Sequence, residues 1–341
     1  MFYFIVLNIS QPPTKKKRLF KVRQKSANIN FMKIIYFGST EDSIYTLDVL
    51  KQSNFEIFAI FTKKSKSMIR GRGTSLTSIE NYASEHKINI KKPRSLKNDN
   101  DLIAYFSKTK PDIFVVSSYG IMIPKEILEI PKYGVINIHP SLLPKFRGPS
   151  PVASAILEGE KFTGVTIIKL DENMDTGPIL EKSHKVLISS KDSASALQEK
   201  LFRLGSDMLP NILRNIEQGN QRFISQNNNN ASTTKKINKI DGKIKWNDKD
   251  VEIIRKVRAY DKWPGTFTFW NNKRIKIIDV AETQIHSLEK PGLVKFIDKK
   301  IFVSTQNKFL EIKKIQFEGK KIMSADQVIN GYSNLNRSCL D

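Results

Sequence analysis

Short apolar runs alternate with amphipathic segments through the first two thirds of the chain. The pattern predicts strands at about residues 33–38, 55–61, 88–90, 111–117, 134–139 and 164–170. Helical periodicity falls between most of these strands, and it extends from Ser193 to Glu217 after the last of them. Alternating strands and helices predict an α/β fold with a Rossmann-like, doubly wound, mostly parallel sheet. No G-x-G-x-x-G motif follows the first strand, so we do not expect a dinucleotide as ligand.

The pattern changes after residue 217. Residues 218–234 are polar and low in complexity, with an asparagine run at 227–230, which predicts a flexible linker. Further on, short strand-like runs and one basic helix at 251–258 predict a small OB-like β-barrel, a fold that commonly binds nucleic acid. We therefore expect an N-terminal extension (1–31), a catalytic domain (32–217), a linker (218–240) and a C-terminal OB-like domain (241–335).

Polar residues stand where two neighbouring strands of the predicted sheet end. Asn137 and His139 close the run 135–139 and point to the same face, while Tyr119 and Gly120 follow the preceding strand. The carboxyl ends of strands in an open α/β sheet are where ligands bind. For Asn137 and His139, an equally good interpretation is a capped strand with a satisfied histidine.

A loop at residues 171–177 adds a carboxylate, Asp175, although aspartates there could also be plain turn residues. Asn137, His139 and Asp175 are the one combination of an amide, an imidazole and a carboxylate whose predicted positions could bring the three side chains together. The chain has no nucleophile elbow and no metal-binding spacing, which leaves acid–base and oxyanion chemistry. Asn137 and protonated His139 could stabilise an oxyanion. Asp175 would keep His139 charged and relay a proton to or from an attacking amine.

Positive charge is concentrated in three parts of the 341-residue chain, whose net charge is +23. Residues 1–31 contain seven basic residues and no acid, and residues 232–341 carry a net charge of +10. A basic, glycine-punctuated loop at 62–73 follows the second strand. This distribution predicts a polyanionic partner. The alternatives are that the loop at 62–73 is simply solvated and that the overall charge reflects a generally basic proteome or solubility. No apolar stretch reaches 18 residues, so we expect no membrane span.

The first 31 residues do not fit the fold. Their basic, acid-free composition predicts an organellar presequence, and an RNA-binding arm is the alternative. Met32 stands directly before the first strand and could be an internal start. We therefore expect the mitochondrial matrix as the location, and otherwise the cytoplasm.

Several motifs together resemble the folate-dependent formyltransferases: residues 137–148 (NIHPSLLPKFRG), 163–166 (TGVT) and 174–180 (MDTGPIL), with Tyr119, Gly120 and Pro124 upstream. Within that family the chain most resembles the members that formylate methionyl-tRNA. That closer resemblance covers about residues 32–332 and includes segments at 71–73, 244–246, 257–259, 263–264 and 319–324. Pro140 departs from the pattern, because bacterial members usually have glycine after the histidine.

The resemblance implies transfer of a formyl group from 10-formyltetrahydrofolate to the α-amine of initiator methionyl-tRNA, without a metal, in translation initiation. It implies Asn137, His139 and Asp175 as catalytic residues. It also implies folate-binding residues (Tyr119, Gly120, Ser141, Leu142, Leu143, Pro144 and Asp171) and tRNA-binding residues (Arg70, Arg72, Lys235 and Lys236). We expect a monomer. The alternatives are a related formyltransferase with another acceptor, a formyl-folate hydrolase, or a non-catalytic RNA-binding protein.

Overall fold

A computed structural model describes residues 32–64 and 76–341. The proposed presequence (1–31) lies outside the described residues. So do Arg70, Arg72 and most of the basic loop that follows the second strand.

Seven strands form the first sheet, in the order β3-β2-β1-β4-β5-β7-β8. Strands β1 to β5 are parallel, which confirms the mostly parallel, Rossmann-like sheet. They span Lys33–Gly38 (β1), Glu56–Phe61 (β2), Asn89–Lys91 (β3), Ile113–Ser117 (β4) and Val135–His139 (β5). The helices of this part are Asp42–Gln52 (α1), Ser78–Glu85 (α2), Asn100–Thr109 (α3), Lys125–Leu128 (α4), Pro151–Glu158 (α5) and Ala194–Glu217 (α6).

Alternating side chains on β1 build two cores, one on each face of the sheet. Ile34 and Tyr36 pack into the larger core with α1 and α6, while Ile35 and Phe37 pack into an aromatic core with Phe106. Because both faces are covered, the central strands are apolar throughout and not alternating.

Antiparallel strands continue the sheet beyond β5. β7 (Thr166–Lys169) pairs with β5 and β8 (Ile179–Lys182) pairs with β7, while Phe162–Thr163 (β6) and Val186–Leu187 (β9) form a separate two-stranded ribbon. The register places His139 opposite Thr166. The sequence indicated a strand at 164–170, but its direction follows only from the pairing.

The C-terminal part is an antiparallel β domain, which confirms the predicted second architecture. The helix Asp250–Ala259 (α7) precedes strands in the order β10-β11-β14-β13-β12, and β15 pairs with β14. The strands span Thr266–Trp270 (β10), Lys273–Ala281 (β11), Val294–Ile297 (β12), Lys300–Ser304 (β13), Phe309–Phe317 (β14) and Ile322–Ser324 (β15). The helix Ala325–Gly331 (α8) covers their core, in which Trp246 and Trp270 are buried.

The segment between the two domains is ordered, so the prediction of a flexible linker is wrong. Ile224 pairs with Ile179 of β8, and Thr233 pairs with Arg147. A short 3₁₀ turn spans Asn228–Asn230. The asparagine-rich composition misled the prediction, because Gln226, Asn228, Ser232 and Thr234 hydrogen-bond to residues of the first domain.

Helix α7 also joins the C-terminal part to the first domain. Its Arg258 donates to the carbonyl oxygens of Ser189 (2.6 Å) and Asp192 (2.8 Å). Separately, none of the helices in the described part of the chain is long and apolar enough to cross a membrane.

Gly205 allows α6 to pack directly on the sheet. A Cβ at this position would lie 2.5 Å from Cγ2 of Ile138 and 2.9 Å from Cγ1 of Val165, closer than van der Waals contact allows. We predict that Gly205→Ala lowers the free energy of unfolding by about 1–3 kcal/mol, measured by urea denaturation. Gly331→Ala is the matched helical control, since nothing lies within 4 Å of its Cβ position. Equal stability of the two variants would contradict this packing.

Candidate active site

A cleft of about 910 Å³ opens at the carboxyl edge of the first sheet. Residues at or after the ends of β4 and β5 line it, together with the loop 171–175 and residues 261–263 of the C-terminal part. Apolar side chains form much of one wall (Val116, Ile121, Met122, Ile123 and Leu170). This size and lining are typical of a site for an organic ligand.

Asn137 lies in this cleft, as the strand pattern predicted. Its side chain is half-buried, and within the described residues its amide makes no hydrogen bond to protein. The amide N–H is therefore free to donate to a ligand.

His139 lies deeper than Asn137. It is 3% exposed and is not among the cleft-lining residues, whereas Asp175 is. Its Nε2 is 3.0 Å from the carbonyl oxygen of Phe146, which can only accept, so Nε2 carries the proton. Its Nδ1 is 3.6 Å from Oδ2 of Asp175, and that same oxygen accepts a hydrogen bond of 2.8 Å from the backbone N–H of Gly148. Asp175 therefore stands between His139 and the cleft.

The burial of His139 argues against the expectation that this residue is held protonated. Burial lowers the pKa of His139 below its ordinary value of 6.5, although the charge of Asp175 and the bond to Phe146 raise it in part. Desolvation is the largest contribution, so the imidazole is neutral near pH 7. The His139–Asp175 pair is therefore ready to accept a proton.

The loop that carries Asp175 is tightly constrained. Asp175 has a positive φ of 54°, which costs energy for a residue other than glycine. A Cβ on Gly177 would lie 1.8 Å from the carbonyl oxygen of Lys169, so only glycine fits there. Both carboxylate oxygens of Asp171 accept from Oγ1 of Thr176, at 2.7 and 2.9 Å. Asp171 lines the cleft, but its carboxylate is used to shape the loop, as the turn alternative predicted.

The residues expected to bind folate divide into two groups. Tyr119, Gly120 and Asp171 line the cleft, whereas Ser141, Leu142, Leu143 and Pro144 do not. Leu143 packs with Ile168 and Ile179 in a small core, and Oγ of Ser141 donates to the carbonyl of Lys145. The chain turns away from the cleft after Pro140, so the segment 141–144 supports the site and does not form its wall.

The basic residues expected to bind tRNA are placed only in part. Lys236 lines the cleft and Lys235 is exposed next to it, while Arg70 and Arg72 lie outside the described residues. Lys63 also lines the cleft, with Nζ against Gly120. Partial burial lowers the pKa of Lys63, and the positive charge of Lys236 lowers it further. The two ammonium groups therefore favour an anionic ligand.

Sequence reasoning missed Trp263 and Lys262 as candidates for this site. Both line the cleft, and the Trp263 side chain is 55% exposed, unlike Trp246 and Trp270. All three tryptophans lie beyond residue 240, and residues 263–264 belong to the closer resemblance, which was the available signal. It could not distinguish an exposed tryptophan from two buried ones. Across residues 32–64 and 76–341, no group of three or more metal-ligating side chains is assembled.

Two family models match the chain. The description "Formyl transferase" fits residues 32–213, and "Formyl transferase, C-terminal domain" fits residues 236–333. With its carboxyl-edge cleft and its Asn137 and His139–Asp175 groups, the chain is thus a formyltransferase by class. It belongs to the formyl transferase family.

Curated relatives place the chain more finely. Methionyl-tRNA formyltransferase of Legionella pneumophila is 37% identical over 303 residues, which cover 89% of this chain and 96% of the relative. The enzyme of the same name from Dehalococcoides mccartyi is 36% identical over 309 residues, which cover 90% and 97%. The similarity thus extends through both domains and includes the linker.

Solved structures share the fold at lower identity. A sugar 3N-formyl transferase, solved with dTDP and 5-N-formyl-THF, has a TM-score of 0.59 and 23% identity, over 85% of this chain and 99% of its own. An N-formyltransferase from Helicobacter canadensis, solved with folinic acid and dTDP-3-aminofucose, has a TM-score of 0.61 and 22% identity, over 83% and 98%.

The buried position of His139 generates a titration prediction. We expect its pKa to lie below 6.5, and Asp175→Asn should lower it further, because the charge of Asp175 raises it. NMR of the imidazole resonances from about pH 8 downward measures both values, with His139→Asn to assign the signal. A pKa above 6.5 in the unmodified protein would contradict the burial argument.

Proposed function

We propose that this protein transfers the formyl group of 10-formyltetrahydrofolate to the α-amine of initiator methionyl-tRNA. The observation that carries the proposal is the cleft. It joins Asn137 and Asp175 of the first domain to Lys236 and Trp263 from the linker and the second domain. Relatives that are 36–37% identical over about 90% of the chain are named for this reaction.

The cleft fits a reduced folate. Its apolar wall and Tyr119 suit the flat ring system and the benzoyl group of such a molecule. The folate supplies the formyl group on N10, and the protein supplies its orientation and the proton transfers.

Asn137 and the His139–Asp175 pair have different roles in the proposed reaction. The Asn137 amide donates to the formyl oxygen as that oxygen gains negative charge. The α-amine attacks the formyl carbon, and the His139–Asp175 pair takes the proton that the amine loses. The carbon–N10 bond then breaks, and the pair returns a proton to N10. The pair ends the cycle in its starting state, so no other reactant is required.

The acceptor would reach the cleft along its basic side. Lys63, Lys235 and Lys236 lie there, and Arg70 and Arg72 would extend this surface. Trp263 is well suited to stack on the unpaired terminal base of the acceptor strand, with Lys262 beside it.

The alternatives are less well supported. The sugar formyltransferases are 22–23% identical to this chain, which speaks for a common fold and not for a common acceptor. A formyl-folate hydrolase would need no basic surface beside the cleft. A non-catalytic RNA-binding protein would not need Asn137 and Asp175 in one cleft with the pair to His139.

Location and oligomeric state remain part of this proposal. The acid-free composition of residues 1–31 supports mitochondrial import, whereas the relatives compared above are bacterial. We propose that the protein acts as a monomer.

The direct test is a formylation assay with labelled 10-formyltetrahydrofolate and charged initiator tRNA. We predict formyl-methionyl-tRNA as product, and a reduction of kcat by about a hundredfold or more in Asp175→Asn with folate affinity unchanged. Uncharged tRNA and an amino sugar nucleotide serve as acceptor controls. Formate release without transfer, or activity only on the sugar, would overturn the proposed acceptor. Near-normal turnover of Asp175→Asn would overturn its role.

The stacking role predicts a selective effect on the acceptor. Trp263→Ala should raise KM for methionyl-tRNA by about tenfold, because a base–aromatic stack contributes about 1–3 kcal/mol. Trp263→Phe should retain most of the affinity, and KM for the folate should not change. Phe162→Ala is the control, since Phe162 is similarly exposed at 48% on the separate ribbon. A rise in folate KM in place of tRNA KM would contradict this assignment.

A further inference from the structure

The linker between the domains is bonded to the catalytic loops through four polar residues, Gln226, Asn228, Ser232 and Thr234, called here the linker clamp. We propose that the linker clamp is part of the active site and that Gln226 is a positioning residue for Asp175. The inference rests on the proposed function for its kinetic consequences. Its structural basis does not depend on the identity of the acceptor.

Gln226 holds the backbone on both sides of Thr176. Its Nε2 donates to the carbonyl oxygens of Asp175 and Gly177, each at 2.8 Å. Asp175 is the strained residue of this turn, with φ +54°. Such a conformation persists only where surrounding contacts determine it, and these two hydrogen bonds are contacts of that kind.

Arg147 fixes the orientation of the Gln226 amide. Its Nε and Nη2 donate to Oε1 of Gln226 at 3.0 and 2.8 Å, and Nη2 also donates to Oδ1 of Asn228 at 2.9 Å. Arg147 is buried, and these partners are neutral amides. A reversed amide would place its N–H groups against the cation, so only one orientation satisfies both sides.

The same linker holds the loop that bonds the Asp175 carboxylate. The backbone N–H of Arg147 donates to the carbonyl of Ser232 at 2.8 Å, and the N–H of Thr234 donates to the carbonyl of Arg147 at 2.7 Å. Gly148 follows directly, and its N–H donates to Oδ2 of Asp175. A Cβ on Gly148 would lie 2.9 Å from Oγ1 of Thr234, so the loop at Gly148 and the linker at Thr234 are in close contact.

The linker clamp thus holds Asp175 in two ways. Gln226 bonds to the backbone of Asp175 and Gly177, and Ser232 and Thr234 hold the loop in which the N–H of Gly148 donates to the Asp175 carboxylate. All three proposed catalytic residues precede residue 176, yet their geometry depends on residues 226–234. A formyltransferase domain that ends with α6 would therefore have an incompletely organised Asp175. Lys235 and Lys236, the proposed acceptor contacts, follow the linker clamp directly in sequence.

The test compares Gln226→Ala and Gln226→Glu in the full chain. Gln226→Glu keeps the size of the side chain but removes both N–H groups that donate to Asp175 and Gly177. We expect kcat to fall at least tenfold in both variants, with KM for either substrate changed less than twofold. Asn230→Ala is the matched control from the same linker, because Asn230 is exposed and its side chain makes no hydrogen bond within the described residues. It should behave as the unmodified protein does.

Two further measurements separate positioning from general destabilisation. The NMR titration of His139 should move in Gln226→Ala toward the lower pKa found in Asp175→Asn, because Asp175 leaves its position 3.6 Å from Nδ1. In an Asp175→Asn background, Gln226→Ala should reduce kcat no further. An unchanged His139 titration, or additive losses in the double variant, would overturn the inference. The titration needs no acceptor, so failure of the unmodified protein to formylate methionyl-tRNA would refute the proposed function alone.

Discussion

The carboxylate of Asp175 depends on contacts from three separate parts of the chain. Oδ2 accepts the N–H of Gly148 at 2.8 Å and faces Nδ1 of His139 at 3.6 Å, in a residue that is 8% exposed. A buried carboxylate is costly unless donors surround it, so the strand end at 139, the loop at 148 and the loop at 175 must meet at one point. The antiparallel strand β7 brings the chain back beside β5, with Ile168 opposite Asn137, and the loop 171–177 follows directly after it.

The state of His139 follows from the same contacts. A neutral imidazole whose Nε2 proton is committed to Phe146 has its lone pair on Nδ1, directed at Asp175. Desolvation lowers the pKa of His139, and the carboxylate opposes this only in part. Because its pKa is lowered, His139 does not hold its titrating proton near pH 7, and the pair is available as a proton acceptor. In the proposed reaction, Asn137 is then the group suited to stabilise negative charge, and the His139–Asp175 pair carries out the proton transfers.

The boundary between the two domains does not coincide with a boundary of the site. Gln226 and Arg147 join the linker to the catalytic loops, while Trp263 and Lys236 bring the second domain and the linker to the cleft. Arg258 also joins the two domains, because it donates to the carbonyls of residues 189 and 192. Folding of the C-terminal part and organisation of the cleft are therefore linked physically, although each domain has its own hydrophobic core.

The sequence by itself determined the order of strands and helices and the location of the polar strand ends. Periodicity and β-turn chemistry are local properties, and local contacts suffice for them. It also singled out Asn137, His139 and Asp175 as a set, and the structure brings these three together. Only the tertiary structure decided the burial of His139, the turning of residues 141–144 away from the cleft and the ordering of the asparagine-rich linker. Each of these depends on a partner far along the chain, such as Asp175 for His139 and Arg147 for Gln226. Composition carries no information about which distant residue a side chain will meet.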